Sequence, residues 1–338
     1  MLQHFTDQED FYTESGALIP GLQIAYHTYG RLNAQKDNVV WVCHALTANA
    51  DAADWWPGMI GPGYAIDTDR YFVVCANIIG SCYGSTGPLS EQPGRGRAWY
   101  HDFPALTIRD MVQAHIRLRR HLGIAAIYLL MGGSMGGYQV LEWALTEPER
   151  IGRLFLIATS AAESPWGIAI HTAQRLAIAA DASWSEYRDD AGARGLKAAR
   201  AIGMLSYRNY RMFGEQADPD PDKTDDFRVS SYIHYQGDKL VNRFNAFSYW
   251  VLGKAMDSHN IARSRHTSAG NLLASLQQPV LLISISSDML CPPEEQRFMA
   301  AHIPGVSYHE IDSPYGHDGF LTESGLISAV LKPWLDAT

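Results

Sequence analysis

The segment IYLLMGGSMGGYQVLEW (127–143) contains a Gly-x-Ser-x-Gly pattern, Gly132-Gly133-Ser134-Met135-Gly136. Such a pattern arises by chance often enough that context must give it weight. Here an apolar run ends just before it, and an amphipathic stretch with Tyr138, Val140, Leu141, Ala144 and Leu145 follows it. That is the strand–turn–helix setting in which a serine hydroxyl is exposed as a nucleophile, with glycines supplying neighbours nearly bare of side chain. A helix starting directly behind the serine aims its first N–H groups, that of Met135 included, at an oxyanion formed on the serine. The competing reading is a glycine-rich turn with an idle serine.

A serine nucleophile needs a base and a group that orients the base. Asp288, in ISSDMLCPP, follows the apolar run at 280–285. His317, in DSPYGHDGF, follows the run at 306–311. Ser134, Asp288 and His317 thus come in the chain order Ser, acid, His, each just past its own expected strand. Asp312 and Asp318 compete as the acid, but both are too near His317 to come from a separate strand end. The second oxyanion donor is expected after the early run VVWVC (39–43), as the backbone N–H of Leu46. His44 lies on the wrong strand to be the base and is expected to anchor the loop by hydrogen bonds.

The elements that must position these residues are short apolar runs at 39–43, 71–75, 127–131, 154–158, 280–285 and 306–311. Runs of this kind fit a parallel sheet covered on both faces. Between them, 107–122 carries Ile108, Met111, Val112, His115, Ile116 and Leu122 along one helical stripe, with Thr107 as N-cap and Gly123 as stop. The alternation breaks after 156–159. Residues 163–269 read as helices and loops (170–182, 195–213 and 242–258), interrupted by the acidic ADPDPDKTDD (217–226), and alternation resumes at Gln278. The expectation is an α/β core, 1–162 with 270–338, carrying a helical lid insertion, 163–269, over the strand C-termini, where open α/β sheets place their ligands.

The 338-residue chain is 46% hydrophobic with net charge −9, which excludes disordered and collagen-like classes. Acidity without a long basic run argues against nucleic acid as a partner. The compact basic group Arg117, Arg119 and Arg120 reads as a solvated helix face. Four cysteines are too few for a disulfide scaffold, and without CxxC or HExxH no metal site is expected. With no basic-then-apolar leader and no run of ~20 apolar residues, a soluble cytoplasmic protein is expected, with no membrane partner.

Beyond single motifs, the chain resembles the homoserine O-acyltransferase family, the acetyl- and succinyltransferases of methionine biosynthesis on the α/β-hydrolase fold. The resemblance runs through ESGALIPGLQIAYHTYGRLN (14–33), DNVVWVCHALTANAD (37–51), ANIIGSCYGSTGPLS (76–90), FPALTIRDMVQAHIRLRRHLGI (103–124) and GGSMGG (132–137). It continues in AQRLAIAAD (173–181), AARAIGMLSYR (198–208), YQGDKLVNRFNAFSYWVLGKAMDSH (235–259) and GHDGFL (316–321). It implies a mostly parallel sheet with a helical lid. It also implies acetyl-CoA as co-substrate with no permanently bound cofactor, and transfer through an acyl-serine to the hydroxyl of L-homoserine. Arg200 and Tyr207 match a lid arginine for the amino-acid carboxylate and a tyrosine seven residues on, and Asp318 would receive the ammonium. The family further implies a homodimer through the lid, to which the aromatics Trp166, Trp184, Tyr232, Tyr235, Phe244, Phe247, Tyr249 and Trp250 could contribute. Gly319, Leu89 and the stretch TANADAADWW (47–56) depart from the commoner pattern and leave donor and acceptor choice open. L-serine as acceptor, succinyl-CoA as donor, and a serine esterase on the same fold are the alternatives.

Overall fold

Eight strands form one sheet: β1 (Gln3–Thr6), β2 (Gln23–Tyr29), β3 (Val39–Cys43), β4 (Phe72–Ala76), β5 (Ile127–Gly133), β6 (Leu154–Ile157), β7 (Val280–Ile285) and β8 (Ser307–Ile311). They lie in the order β1-β2-β4-β3-β5-β6-β7-β8, parallel from β4 to β8 and antiparallel at the β1–β2–β4 edge. The computed structural model describes residues 1–337; Thr338, the last residue of the expected core segment, lies outside the described residues.

The central strands β3, β6 and β7 are buried along their whole length, which explains their unbroken apolar sequences. Alternate side chains feed two different cores. Val39, Trp41 and Cys43 join one face with Leu130 and Trp143, and Val40 and Val42 join the other with Leu129 and Phe155. The sequence runs at 39–43, 127–131, 154–158, 280–285 and 306–311 coincide with strands to within two residues, and the strand at the run 71–75 starts and ends one residue later than the run. β1 and β2 escaped that reading, because their half-exposed QHFT and QIAYHTY carry polar residues where a doubly covered strand has none.

Helix α1 (Ile108–His121) opens with a capping box. Thr107 Oγ1 accepts from the Asp110 N–H, while Asp110 Oδ2 accepts from the Thr107 N–H at 2.8 Å. The basic group on this helix corrects the expectation of a solvated face. Arg117 pairs with Asp7 at 2.6 Å, and Arg119 is buried, with its guanidinium on Glu147 at 3.0 Å and on the Ile124 carbonyl at 2.7 Å. Glu147 also accepts from the Trp143 indole at 3.0 Å. The run of basic residues suggested solvation and gave no sign of an acid 28 residues away; of the three, Arg120 alone keeps an exposed side chain.

Helix α2 (Met135–Thr146) follows β5 directly. Between β6 and β7 the chain forms α3 (Pro165–Ala179), α4 (Ala193–Tyr207), α5 (Arg228–Val241) and α6 (Ala246–Asp257), with α3 on α4 and α4 on α5. The stretch 195–213 is not one helix. Arg208 turns extended after α4, and Asn209 caps a new short helix, Tyr210–Gly214. α5 carries an apolar stripe, Val229, Tyr232, Ile233, Leu240 and Val241, that the sequence reading did not single out as a helix; only Gly237 and Leu240 on it are fully buried. The insertion leaves and re-enters the core at one neck, where the Glu163 N–H donates to the His259 carbonyl at 2.8 Å and the Ile261 N–H to that of Ala161 at 3.0 Å.

Removing one partner from a buried ion pair strands the other charge. Arg119→Ala is therefore expected to lower the unfolding free energy by about 3 kcal/mol, measured by urea denaturation; a change within error would show that Glu147 is satisfied without it.

Candidate active site

Ser134 occupies the turn between β5 and α2 with φ 53° and ψ −129°, a region that L-residues seldom enter. The turn closes only because its flanking residues lack side chains. A Cβ at Gly136 would lie 2.1 Å from the Cys43 carbonyl oxygen, and one at Gly132 would lie 2.5 Å from the Gly136 backbone. The local sequence thus exchanges backbone strain for an outward-facing hydroxyl at a helix N-terminus.

Ser134 Oγ is 2.9 Å from His317 Nε2, and His317 Nδ1 is 2.7 Å from Asp288 Oδ2. The other Asp288 oxygen accepts from the N–H groups of Leu290 (2.8 Å) and Cys291 (2.9 Å), which fixes the carboxylate. Burial alone would push the His317 imidazole below its ordinary 6.5, but the Asp288 charge and hydrogen bond outweigh it and hold the pKa above that value. The competing acids lie elsewhere. Asp312 accepts from the Ser286 hydroxyl at 2.9 Å, and Asp318 pairs with Arg208 at 3.1 Å.

After β3 the chain makes a turn closed by the Ala48 N–H on the Ala45 carbonyl at 3.1 Å, with Leu46 and Thr47 at its centre. Among the described residues, no acceptor engages the N–H of Leu46 or that of Met135. His44 anchors this loop as expected. Its Nδ1–H donates to the Ala45 carbonyl (2.8 Å) and its Nε2 accepts from the Ile78 N–H (3.1 Å). Burial pushes its pKa down to about 4, so it stays neutral.

A cavity of about 550 Å³ opens over the serine, lined by Ser134, His317, Leu46, Arg200, Tyr207 and Asp318. The structure therefore gathers six of the eight expected site residues around one space, with Asp288 and Met135 buried behind it. The Arg200 guanidinium lies 5.1 Å from the Tyr207 ring centroid, and its Nε is buried without a hydrogen-bond partner among the described residues. The sequence reading missed several neighbours. Arg208 holds Asp318, His171 lines the cavity with Nδ1 on Asp257 at 2.9 Å, and Lys239 and Arg243 stand at the insertion's end of the space. Arg208 was in plain view at the end of the AARAIGMLSYR segment; for the others, only the fold reveals the proximity. The departing stretch 47–56 also reaches the cavity through Thr47, Ala48, Asn49, Asp54 and Trp55. Gly319 has a local reason, since a Cβ there would meet Ile285 Cγ2 at 2.8 Å.

Residues 38–324 match the alpha/beta hydrolase fold family. The homoserine O-acetyltransferase of Cyclobacterium marinum is 47% identical over 97% of this chain and 93% of its own length. That of Chlorobaculum tepidum is 46% identical over 97% and 93%. The chain belongs to the homoserine O-acetyltransferase family. Among solved structures, the homoserine O-acetyltransferase of Bacillus anthracis superposes with a TM-score of 0.94 at 25% identity, covering 99% of this chain and 97% of that one. Esterase E22 follows at TM-score 0.88 and 22% identity, covering 99% of both chains, and shows the fold alone. Transferase and esterase thus share one scaffold, and the difference between them must lie in the site. Among the described residues, no group of three or more His, Cys, Asp or Glu is arranged for a metal ion, and no helix is long and apolar enough to cross a membrane.

In this homoserine O-acetyltransferase family member, His317 is expected to titrate above 6.5, followed by NMR of the imidazole. Asp288→Asn should move that titration downward, because the main influence opposing burial is then gone and only the weaker pull of Asp318 and Glu163 remains; an unmoved titration would remove Asp288 as its cause.

Proposed function

We propose that the chain transfers an acetyl group from acetyl-CoA to L-homoserine through an acetyl-serine, serving methionine biosynthesis. Ser134 Oγ attacks the thioester carbonyl carbon as His317 Nε2 takes its proton, and Asp288 orients and stabilises the imidazolium. The N–H groups of Leu46 and Met135 receive the oxyanion. Collapse breaks the C–S bond, and the leaving thiolate takes the proton from His317. The homoserine hydroxyl then gives its proton to His317 and attacks the acetyl-serine. The second tetrahedral intermediate releases O-acetylhomoserine as the proton returns to Ser134 Oγ.

The observation that carries the acceptor reading is a half-buried cation and a carboxylate in the same cavity as the nucleophile. Arg200 has an unused Nε and a planar fork suited to a carboxylate. Arg208 holds one Asp318 oxygen, which supports use of the other for the ammonium. Tyr207 stacks between Arg200 and His317, with its ring centroid 6.1 Å from the imidazole, and would line the acceptor end. An esterase has no need of paired contacts for a zwitterion. The roof of helices over the serine favours transfer by excluding water from the acyl-serine. A cytoplasmic homodimer through the insertion belongs to the same reading, supported by exposed Trp166, Leu176, Leu205 and Tyr235 on its helices.

The test mixes purified protein with acetyl-CoA, with and without L-homoserine, and follows CoA release and O-acetylhomoserine by mass spectrometry. Sustained release that needs homoserine is expected. Equal release without it would make the protein a thioesterase, and parallel samples with L-serine and succinyl-CoA report acceptor and donor choice. Ser134→Ala is expected to lower turnover by ~10⁴-fold or more with the fold intact. Arg200→Ala should raise the homoserine KM roughly 10- to 100-fold, the worth of a charge-assisted hydrogen-bond pair, and spare acetylation of the enzyme. Equal damage to both half-reactions would overturn its carboxylate role.

A further inference from the structure

Arg243 lies in the link between α5 and α6, yet its side chain reaches out of the insertion to the core. Nη1 donates to the Thr47 carbonyl and to the Tyr83 hydroxyl (2.6 Å), and Nη2 donates to the Thr47 hydroxyl (3.3 Å). The surrounding segments seat together. Tyr83 packs edge-on against Phe244 with ring centroids 5.8 Å apart, and the Cys82 thiol donates to the Arg243 carbonyl at 3.5 Å.

These contacts matter because of the peptide planes they hold. The Thr47 carbonyl and the Ala48 N–H belong to one planar unit. That Ala48 N–H closes the turn on the Ala45 carbonyl at 3.1 Å. The Ala45 carbonyl in turn shares its plane with the Leu46 N–H. Two rigid planes joined by one hydrogen bond therefore run from the Arg243 guanidinium to the Leu46 N–H. On the core side, His44 Nδ1–H grips the Ala45 carbonyl at 2.8 Å. Arg243 is the grip supplied by the insertion. All three of its bonds go to neutral acceptors, so the guanidinium keeps its charge beside the loop that carries the oxyanion donor.

We propose that Arg243 is a positioning residue for the oxyanion site, coupling the seating of the helical insertion to the orientation of the Leu46 N–H. The inference rests on the reading that Ser134 is acylated with Leu46 as an oxyanion donor. It does not depend on which acceptor completes the reaction. An N–H aimed at developing charge acts only if held where the oxyanion forms, and losing one such donor lowers turnover by ~10²–10³-fold. Loosening it through its neighbour should lower turnover less.

The experiment compares wild type with Arg243→Met and Arg243→Lys, using two acyl donors in single-turnover acylation of Ser134. One is acetyl-CoA; the other is p-nitrophenyl acetate, which carries no phosphate. For Arg243→Met, the acylation rate constant is expected to fall by ~10-fold or more with both donors, with donor saturation unchanged. Binding of 1,1,1-trifluoroacetone, whose Ser134 adduct carries an oxyanion, should weaken by a similar factor. Arg243→Lys keeps a donor for the Thr47 carbonyl and should recover part of the rate; it also serves if Arg243→Met does not fold. Loss confined to acetyl-CoA, seen as weaker saturation, would overturn the proposal and make Arg243 a contact for the donor's phosphates. Wild-type rates with both donors would overturn it as well. If wild type instead hydrolyses acetyl-CoA without homoserine, the transfer reading fails while the p-nitrophenyl acetate arm still reports on Arg243.

Discussion

The close approach of the first turn of α2 to the end of β3 is the constraint on which the rest of the site depends. With a Cβ at Gly136 only 2.1 Å from the Cys43 carbonyl oxygen, no other residue fits there without moving the helix. That contact brings the helix N-terminus beside the loop that leaves β3, although the two strands are separated by nearly 90 residues. It also sets the backbone of Ser134 in its strained form. The strain is tolerated because β5, β3 and α2 are among the most deeply buried parts of the chain, where close packing leaves no room for relaxation.

Around this fixed point the labour is divided by structural origin. The parallel sheet carries Ser134, Asp288 and His317, each just past the C-terminal end of a strand. The segment between β6 and β7 supplies cations: Arg200 and Lys239 from its helices, Arg208 and Arg243 from the links between them. A chain with net charge −9 has therefore gathered positive charge at the one cavity whose co-substrates would carry carboxylate and phosphate. Arg208 balances Asp318 and so keeps a carboxylate in a part of the cavity that would otherwise be wholly cationic.

Much of this was legible in the residues themselves, for identifiable reasons. Doubly covered strands announce themselves as apolar runs, and Ser134, Asp288 and His317 each follow one, so the sheet's own logic placed them together. The strands β1 and β2 were not legible, because an antiparallel edge with one wet face reads as mixed polarity. The stripe of α5 was legible and was passed over, whereas the break at Arg208 depends on Asn209 capping the next helix, a choice of local hydrogen bonding that periodicity does not report. Arg119 shows the limit in the other direction. Its neighbours in sequence are basic, but its environment is set by Glu147 across a helix pair. The roles of Arg200, Tyr207 and Asp318 came from resemblance rather than from any pattern in their own stretch, and Arg243 acquires meaning only when the turn at Thr47 is seen beside it.

The neck of the insertion carries a consequence for how such proteins diversify. Because the chain enters at Ala161–Glu163 and returns at His259–Ile261 as two hydrogen-bonded neighbours, the whole helical segment is a loop closed at its base. Its covalent length is therefore independent of strand register, but its packing is not free: Ile178, Leu196, Leu240 and Tyr249 belong to the same core as Trp41 and Leu130, so any other roof would have to refill that core as well as meet the neck and tethers such as Arg243. The neck thus separates the register of the strands that carry Ser134, Asp288 and His317 from the length of the segment that roofs them.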